Sequence, residues 1–198
     1  MQRKSNPGHT EFVQGYWWAY EYEESKDSTP WKEIFNLWRS AAEKGHVRAM
    51  FYTGVCYDLG QGTRKNFRLA FEWYMKAAKK GHRDSQYNVG FFYARGEFVK
   101  KNYKEALLWY RKAAQAGLID AQRDLGYQYF YGKGTRPDAK KAVFWYKKAA
   151  TKNDPKALYN LGLCYKHGEG VTQSARWTRH YFSRAAKLGH DKAKEELM

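Results

Sequence analysis

Residues 118–153 read LIDAQRDLGYQYFYGKGTRPDAKKAVFWYKKAATKN, and their pattern returns along the chain with a period of 36 residues. The most visible marker is a Trp-Tyr pair that is followed, after two intervening residues, by two adjacent alanines. It occurs at Trp73, Trp109 and Trp145. Ala185-Ala186 continues the series, with Tyr181 in the Trp position. Self-similarity at such a period is typical of helical repeat proteins, whose repeats bury a continuous core only by stacking.

A second set of residues keeps the same spacing and sets the repeat boundaries. Within residues 118–153 it comprises Gly126, Tyr129 and Gly132. The other copies begin at Gly54, Gly90 and Gly162. The two patterns together divide most of the chain into four repeats without insertion: 46–81, 82–117, 118–153 and 154–189.

Each repeat is predicted to contain two helices. Apolar and small residues recur at steps of three and four, as at Ala157, Leu161 and Tyr165, which is helical spacing. A Gly-containing turn separates this first helix from a second one. Shortly after the turn stands a residue whose side chain can accept hydrogen bonds from the free amides of a helix N-terminus. These predicted N-caps are Asn66, Asn102, Asp138 and Ser174.

Small residues at fixed repeat positions are predicted to set the spacing between helices. Gly54 and its equivalents allow the paired helix to approach closely, and a set of alanines does so from the other side. Trp and Tyr are expected to fill the wider gaps. The alanines are Ala70, Ala106 and Ala142.

The two ends of the chain depart from the repeat pattern, as the ends of a repeat array must. Residues 1–10 are predicted to be a flexible N-terminus. Residues 11–45 are interpreted as a degenerate helix pair, with helices over Phe12–Tyr22 and Trp31–Lys44. Residues 190–198 are predicted to form a C-terminal capping helix.

The composition predicts an ordered protein with a cationic surface. The chain is 43% hydrophobic and 18% aromatic and carries a formal net charge of +16. Basic disordered tails lack such an aromatic content. Residues 11–33 are the exception, because acidic side chains outnumber basic ones there. A basic body favours association with an acidic partner.

The sequence contains no apolar run that would serve as a signal peptide or a membrane span, so we expect a cytoplasmic protein without membrane association. The two cysteines agree with a reducing compartment. Cys56 and Cys164 occupy the same position three repeats apart, and packed helices lie about 8 to 10 Å apart, so the sulfurs should be roughly 30 Å apart. A disulfide needs Cα atoms within about 7 Å, and both thiols are therefore expected to be free.

No arrangement typical of catalysis or cofactor binding stands out. His46, His82 and His190 share one repeat position, which favours a structural role over metal binding. The Gly-x-Gly segments, as at Gly132-x-Gly134, lack the Gly-Lys-Ser/Thr ending of a phosphate loop. No Ser/His/Asp or Cys/His set appears at a characteristic spacing. We therefore expect no enzyme activity, cofactor, metal or small-molecule substrate.

Two motifs together resemble the Sel1-like repeat, a relative of the tetratricopeptide repeat. They are Ala157-x-x-Asn160-Leu161-Gly162-x-x-Tyr165-x-x-Gly168-x-Gly170-Val171 and Lys141-Ala142-x-x-Trp145-Tyr146-x-Lys148-Ala149-Ala150. The resemblance covers roughly residues 41–195. It departs from the pattern at Phe98 and Asn153, where the repeat has Gly, and at Thr178, where it has Ala.

The resemblance implies an all-α fold, a right-handed superhelical solenoid of antiparallel helix pairs whose first helices line a concave groove. Proteins of this kind are adaptors, scaffolds or regulators, and some are bacterial virulence or immunity factors. The repeat itself has no catalytic activity.

The groove of the related tetratricopeptide repeat implies a set of partner-binding positions on the first helices. They are Phe51, Tyr52, Tyr87, Asn88, Phe91, Arg95, Arg123, Asp124, Tyr127, Phe130, Tyr131, Tyr159, Asn160 and His167. Aromatic and Arg side chains would supply the anchoring surface. The residues Asn88, Asp124 and Asn160 would form a ladder that hydrogen-bonds the backbone of an extended peptide.

The alternative for the aromatic members is that several simply pack between helices. One group argues against it, because Tyr127, Phe130 and Tyr131 stand beside the repeat residue Tyr129 and cannot all face inward on one helix. The leading hypothesis is therefore a non-enzymatic scaffold that binds a partner protein or peptide, in one variant a bacterial immunity protein or effector partner.

A second hypothesis is a nucleic-acid-binding solenoid that uses a basic convex face, because clustered cations suffice for phosphate contacts. The basic pairs fall mainly on the predicted second helices. They are Lys79-Lys80, Arg111-Lys112, Lys140-Lys141 and Lys147-Lys148.

Overall fold

The computed structural model describes residues 6–21 and 30–198, and all regular structure in these ranges is helical. The described residues contain eleven helices and no strand. The helices are α1 (His9–Glu21), α2 (Trp31–Glu43), α3 (Val47–Leu59), α4 (Phe67–Lys79), α5 (Arg83–Arg95), α6 (Tyr103–Gln115), α7 (Ile119–Tyr131), α8 (Ala139–Ala150), α9 (Pro155–His167), α10 (Ala175–Lys187) and α11 (Asp191–Glu195). The predicted all-α fold is confirmed.

The helices belong to two compact units. The N-terminal unit, up to Lys101, contains α1 to α5, and the C-terminal unit, Asn102–Met198, contains α6 to α11. Within each unit a helix packs mainly against its neighbours in the chain, as α3 does against α4 and α7 against α8. The first helices of the repeats are α3, α5, α7 and α9, and the second helices are α4, α6, α8 and α10.

The second helices begin at the N-caps that the sequence predicts. The side-chain oxygens of Asn66, Asn102, Asp138 and Ser174 each accept a hydrogen bond from a backbone amide in the first turn, at distances from 2.9 to 3.4 Å. Because these amides have no partner within the helix, each cap stabilises the helix start by about 1 kcal/mol.

The shared histidine position caps the following helix. His46, His82 and His190 accept at Nδ1 from backbone amides of α3, α5 and α11, at 3.2, 3.3 and 3.3 Å. Asp154 takes this place before α9 and accepts from the Ala157 amide at 2.6 Å. The predicted structural role of these histidines is confirmed, and its physical basis is an imidazole acceptor at a helix N-terminus.

Glycine and tyrosine face each other in the core of each unit. A Cβ atom at Gly54 would lie 2.7 Å from the Tyr74 ring, and one at Gly126 would lie 2.6 Å from the Tyr146 ring. Tyr74 and Tyr146 are almost fully buried. The close approach predicted at these glycines is confirmed, and the predicted alanines are fully buried as well: Ala70, Ala106 and Ala142.

The Trp of each Trp-Tyr pair contributes less to the core than the Tyr that follows it. Trp73 and Trp145 are half-buried, and Trp109 is buried. The ammonium of Lys76 lies 4.0 Å from the Trp73 ring centroid, and that of Lys112 lies 4.2 Å from the Trp109 ring centroid. The expectation that both aromatics fill the gaps between helices therefore holds for the three tyrosines and for Trp109, and only in part for Trp73 and Trp145.

The first helix pair extends further than the sequence predicts. Helix α1 begins at His9, three residues before the predicted helix start at Phe12, so the last two residues of the segment 1–10 are helical and not flexible as predicted. Helix α2 begins at Trp31 as predicted. Residues 1–5 of the predicted flexible terminus and residues 22–29 of the acidic stretch at 11–33, including Tyr22, lie outside the described residues. At the other end, α11 is a short helix of five residues.

Two departures from the repeat pattern lie where the backbone is left-handed. Phe98 and Asn153 have φ values of 62° and 58°, and the equivalent residues Gly134 and Gly117 have 77° and 84°. A left-handed backbone is unfavourable for most residues with a side chain. At Asn153 the side chain is also used, because Arg184 donates to its Oδ1 at 2.9 Å.

Candidate functional site

All predicted partner-binding residues lie on first helices, but their surroundings differ. Some face solvent at positions three and four residues apart on the same helix. Others contact the residue that caps a later helix, and the rest are half-buried beside other neighbours. The distinction depends on which side of the helix each residue occupies.

Helix α7 carries an exposed aromatic surface in the C-terminal unit. Tyr127 is 39% exposed and Tyr131 is 59% exposed. Their ring centroids lie 4.5 Å apart, and the Phe130 ring lies 5.0 Å from that of Tyr131. The expectation that these three aromatics do not all face inward is confirmed, because two of them are exposed and Phe130 is half-buried.

A lysine from the turn after α7 joins these rings. Lys133 Nζ donates to the Tyr127 hydroxyl at 3.1 Å, and the ammonium lies 4.6 Å from the Tyr127 ring centroid and 5.5 Å from that of Tyr103. The hydrogen bond to Tyr127 raises the pKa of Lys133. We call Tyr103, Tyr127, Phe130, Tyr131 and Lys133 the tyrosine cluster. Sequence reasoning missed Lys133 and Tyr103, because neither lies on a first helix.

On α5, in the N-terminal unit, the repeat positions equivalent to Tyr127 and Tyr131 also face solvent. Phe91 is 36% exposed, and the guanidinium of Arg95 lies 5.1 Å from its ring centroid. Arg95 also pairs with Glu97 at 3.0 Å. In α9 the equivalent positions hold Leu163, which is half-buried, and His167, which is exposed.

The predicted polar ladder consists of half-buried side chains that already have partners in two cases. Asn88 hydrogen-bonds the buried hydroxyl of Tyr74, which also donates to Asp58 at 3.3 Å. Asp124 accepts from Arg123 at 2.9 Å, and Asn160 is half-buried on α9.

Phe51 and Tyr159 contact the N-cap residues of α5 and α11. The Phe51 ring stacks on His82, with centroids 4.8 Å apart, and the Tyr159 ring stacks on His190 at 4.4 Å. Both histidines are N-caps. For these two residues the structure matches the alternative of packing between helices.

Arg123 occupies the same repeat position as Phe51 and Tyr159, and it contacts the N-cap of α9 by charge instead of stacking. Its guanidinium lies 3.2 Å from Asp154, 2.6 Å from Asp120 and 2.9 Å from Asp124, and the side chain is 15% exposed. Burial lowers the pKa of Arg123, but the carboxylates of Asp124, Asp154 and Asp120 outweigh it and raise the pKa above the usual value. Arg123 thus joins α7 to the start of α9.

The remaining predicted residues are half-buried. Tyr52 packs on Trp38, with ring centroids 4.7 Å apart, and lies 5.9 Å from Phe12. Tyr87 is half-buried on α5. Tyr52 therefore joins α3 to the first helix pair, where α1 contributes aromatic residues that the sequence analysis did not assign to a site.

The chemistry of the thiols argues against a nucleophilic role. Cys56 and Cys164 are free and buried, and burial raises the pKa of each thiol to about 12. Both therefore stay protonated at neutral pH, whereas the thiolate is the reactive form. Within residues 6–21 and 30–198, no group of three or more His, Cys, Asp or Glu side chains is arranged to hold a metal.

None of the helices described combines the length and the apolar character that crossing a bilayer requires.

Comparison with known proteins identifies a repeat family along most of the chain. The Sel1 repeat matches residues 47–82, 83–118, 119–154 and 155–190. These four segments keep the predicted period and begin one residue later than the repeats drawn from the sequence. No curated protein sequence matches the chain.

Solved structures show the same fold. A Sel1 repeat protein from Oxalobacter formigenes is 31% identical, with a TM-score of 0.84, and the match covers 98% of this chain and 76% of that one. A protective antigen of uropathogenic Escherichia coli strains, displaying an SLR fold, is 29% identical with a TM-score of 0.88, and the match covers 96% of this chain and 40% of the antigen. An immunity protein from Pseudomonas aeruginosa is 20% identical with a TM-score of 0.58, over 98% of this chain and 70% of that protein, which is a likeness of fold alone.

Proposed function

The chain belongs to the Sel1 repeat family, whose members are in general non-enzymatic scaffolds for protein–protein interaction, and we propose that it binds a partner protein or peptide through the solvent-facing side of its first helices. This side would line the groove expected for the family. We further propose that the partner is acidic, because the chain carries a net charge of +16 and opposite charge accelerates association.

The observation that carries the proposal is the tyrosine cluster on α7. Two neighbouring tyrosines are exposed there, whereas the ring of Tyr159 on α9 is half-buried and stacks on His190. Tyrosine combines a large apolar ring with a hydroxyl and is enriched among the residues that dominate binding energy. Lys133 adds a cation at the same place, and this suits a partner that carries carboxylates.

We predict that Tyr127→Ala together with Tyr131→Ala weakens partner binding by at least about tenfold, because each truncation of a hot-spot aromatic removes more than about 1 kcal/mol. The measurement is capture of the partner from lysate of the source cells, followed by titration of the isolated partner. Phe144→Ala is the matched control, since Phe144 is a 52% exposed aromatic on the second helix α8 of the same unit. Equal affinity of the double variant and the parent protein would refute the proposal.

The finer form of the proposal is that the partner is a bacterial toxin and that this chain confers immunity to it. Its support is the fold shared with an immunity protein. Co-expression of the chain with the product of a neighbouring gene that arrests growth tests this form. Growth should recover with the parent chain and not with the Tyr127→Ala, Tyr131→Ala variant, and continued arrest with both would refute it.

Exposed lysines on α8 favour nucleic-acid binding as the second candidate function. Lys140, Lys147 and Lys148 are exposed on this helix, and an exposed Phe144 lies among them. Binding of this kind weakens steeply with salt. A mobility shift at low salt that is lost on Lys147→Glu with Lys148→Glu would support this candidate, and the absence of any shift would remove it.

A further inference from the structure

A cleft of about 430 Å³ lies between α1 and the start of α3 in the N-terminal unit. One side of α1 supplies its apolar walls: Phe12, Val13, Tyr16, Trp17 and Tyr20. Trp17 is 62% exposed and Tyr20 is 65% exposed. We call this the aromatic cleft. Its volume is within the range of about 300 to 1,000 Å³ that is typical of ligand pockets.

Arg48 on α3 lines the aromatic cleft and supplies its charge. The guanidinium carbon lies 5.1 Å from the Phe12 ring centroid and 5.6 Å from that of Tyr16. A guanidinium that lies over a ring still presents its N–H groups at the edge of its plane. The position of Arg48 is therefore defined by the aromatic rings while its hydrogen-bond donors stay available.

Within residues 6–21 and 30–198, Arg48 lacks the carboxylate partner that several other arginines of the chain have. Arg39, Arg95 and Arg123 each form an ion pair with a carboxylate. In the part of the chain that the structure describes, Arg48 has no carboxylate within ion-pair distance, and its side chain is exposed. Glu11 on α1 is paired with Lys44.

A second cleft, of about 450 Å³, is also lined by Arg48. Its other walls come from α3 and from the start of α5, and they include Phe51, Tyr52 and His82. We call this the polar cleft, because Arg83 and Asp84 also contribute to it. Arg48 thus belongs to both clefts, one mainly apolar and one with both aromatic and charged walls. This arrangement suits a peptide segment in which an apolar side chain precedes an acidic one.

We propose that this site binds a peptide segment of the partner in which a large aliphatic or aromatic residue stands next to Asp or Glu. The apolar side chain occupies the aromatic cleft, the carboxylate pairs with Arg48, and the following residues continue into the polar cleft. A carboxylate is favoured because an arginine can hold it through two parallel hydrogen bonds. The inference rests on the proposed protein-binding function and names the chemistry of the segment that is bound.

The test is selection of peptides from a phage-displayed library of random 12-residue sequences on the full chain. We expect the selected peptides to share an apolar residue next to an acidic one. A synthetic copy of a selected peptide, titrated by fluorescence anisotropy, should bind at least about tenfold more weakly to Arg48→Gln. Replacing the peptide carboxylate by its amide should cause a similar loss with the parent chain and no further loss with Arg48→Gln.

A second pair of variants tests the aromatic cleft. Trp17→Ala should weaken binding of the same peptide, whereas Trp177→Ala, which truncates a 43% exposed Trp on α10, should leave it unchanged. Melting temperatures of all variants show whether they fold. A library without enrichment, selected peptides without an acidic residue, or affinity that survives Arg48→Gln would each overturn the inference. Self-association that Trp17→Ala abolishes would overturn it too, in favour of a second copy of the chain.

Capture of the natural partner separates this inference from the proposed function. Partner binding that is lost with the Tyr127→Ala, Tyr131→Ala variant and unchanged with Arg48→Gln would overturn the peptide site and leave the proposed function standing. Partner binding that survives both variants, with no peptide selected, would overturn both. Partner binding that is lost with Arg48→Gln and unchanged with the Tyr127→Ala, Tyr131→Ala variant would support the peptide site and refute the role of the tyrosine cluster.

Discussion

At the scale of single residues, the absence of a side chain at Gly126 allows α7 and α8 to pack closely. A methyl group there would meet the Tyr146 ring at 2.6 Å and the Ala142 carbonyl oxygen at 3.2 Å. We predict that Gly126→Ala lowers the free energy of unfolding by about 1 to 3 kcal/mol, the usual cost of overpacking a core. Urea denaturation followed by circular dichroism measures it.

Gly117→Asn is the matched control for this substitution. A Cβ at Gly117 meets nothing within 4 Å, and Asn153 already occupies the equivalent left-handed position. Asn tolerates this backbone better than most residues do, so the control should change the free energy of unfolding by less than about 0.5 kcal/mol. A Gly126→Ala variant as stable as the parent chain would contradict the prediction.

At the scale of helices, three N-caps depend on neutral imidazoles. His46, His82 and His190 accept at Nδ1, and a protonated imidazole has no acceptor. Burial is the main cause that lowers the pKa of each below its ordinary value. The unfolded chain, with histidine pKa values near 6.5, therefore binds more protons than the folded one. Stability should be fully present above that pH and should decline as the pH falls through 6.5 toward the lower folded-state values.

We predict a lower melting temperature at pH 5.5 than at pH 7.5, measured by differential scanning calorimetry. A variant with His46→Asn, His82→Asn and His190→Asn keeps a side-chain acceptor that does not titrate, so its melting temperature should change less between these pH values. His167→Asn is the control, because His167 is exposed at the end of α9 and caps no helix start. An equal decline in the triple variant and the parent chain would show that the caps are not responsible.

At the scale of the whole molecule, each compact unit contains one buried thiol. Cys56 lies in the N-terminal unit and Cys164 in the C-terminal unit, and both are almost fully buried. We predict that neither reacts with Ellman's reagent at pH 8 in native buffer and that both react in denaturant, because reaction needs an accessible thiolate. The Cys56→Ser variant keeps only the thiol of the C-terminal unit, and the Cys164→Ser variant keeps only that of the N-terminal unit. Labelling of each variant therefore follows the unfolding of one unit. Full labelling in native buffer would contradict the burial.

The sequence alone determined the elements of this protein, because a helix is specified by interactions within a few residues. The 36-residue period, the caps at Asn66 and Asp138 and the close approach at Gly54 all follow from local spacing and residue size, and the structure confirms them. The membership of these helices in a repeat family follows from the same regularity.

Only the tertiary structure decided which residues of a first helix remain available to a partner. Tyr127 and Tyr159 are both aromatic residues at predicted binding positions, yet Tyr127 is exposed and Tyr159 stacks on His190. Arg48 and Arg123 are both arginines of first helices, yet Arg123 is held by three carboxylates and Arg48 lines two clefts. Periodicity specifies which side of its own helix a residue occupies, but the partners that cover it come from other helices, and their positions are set by packing.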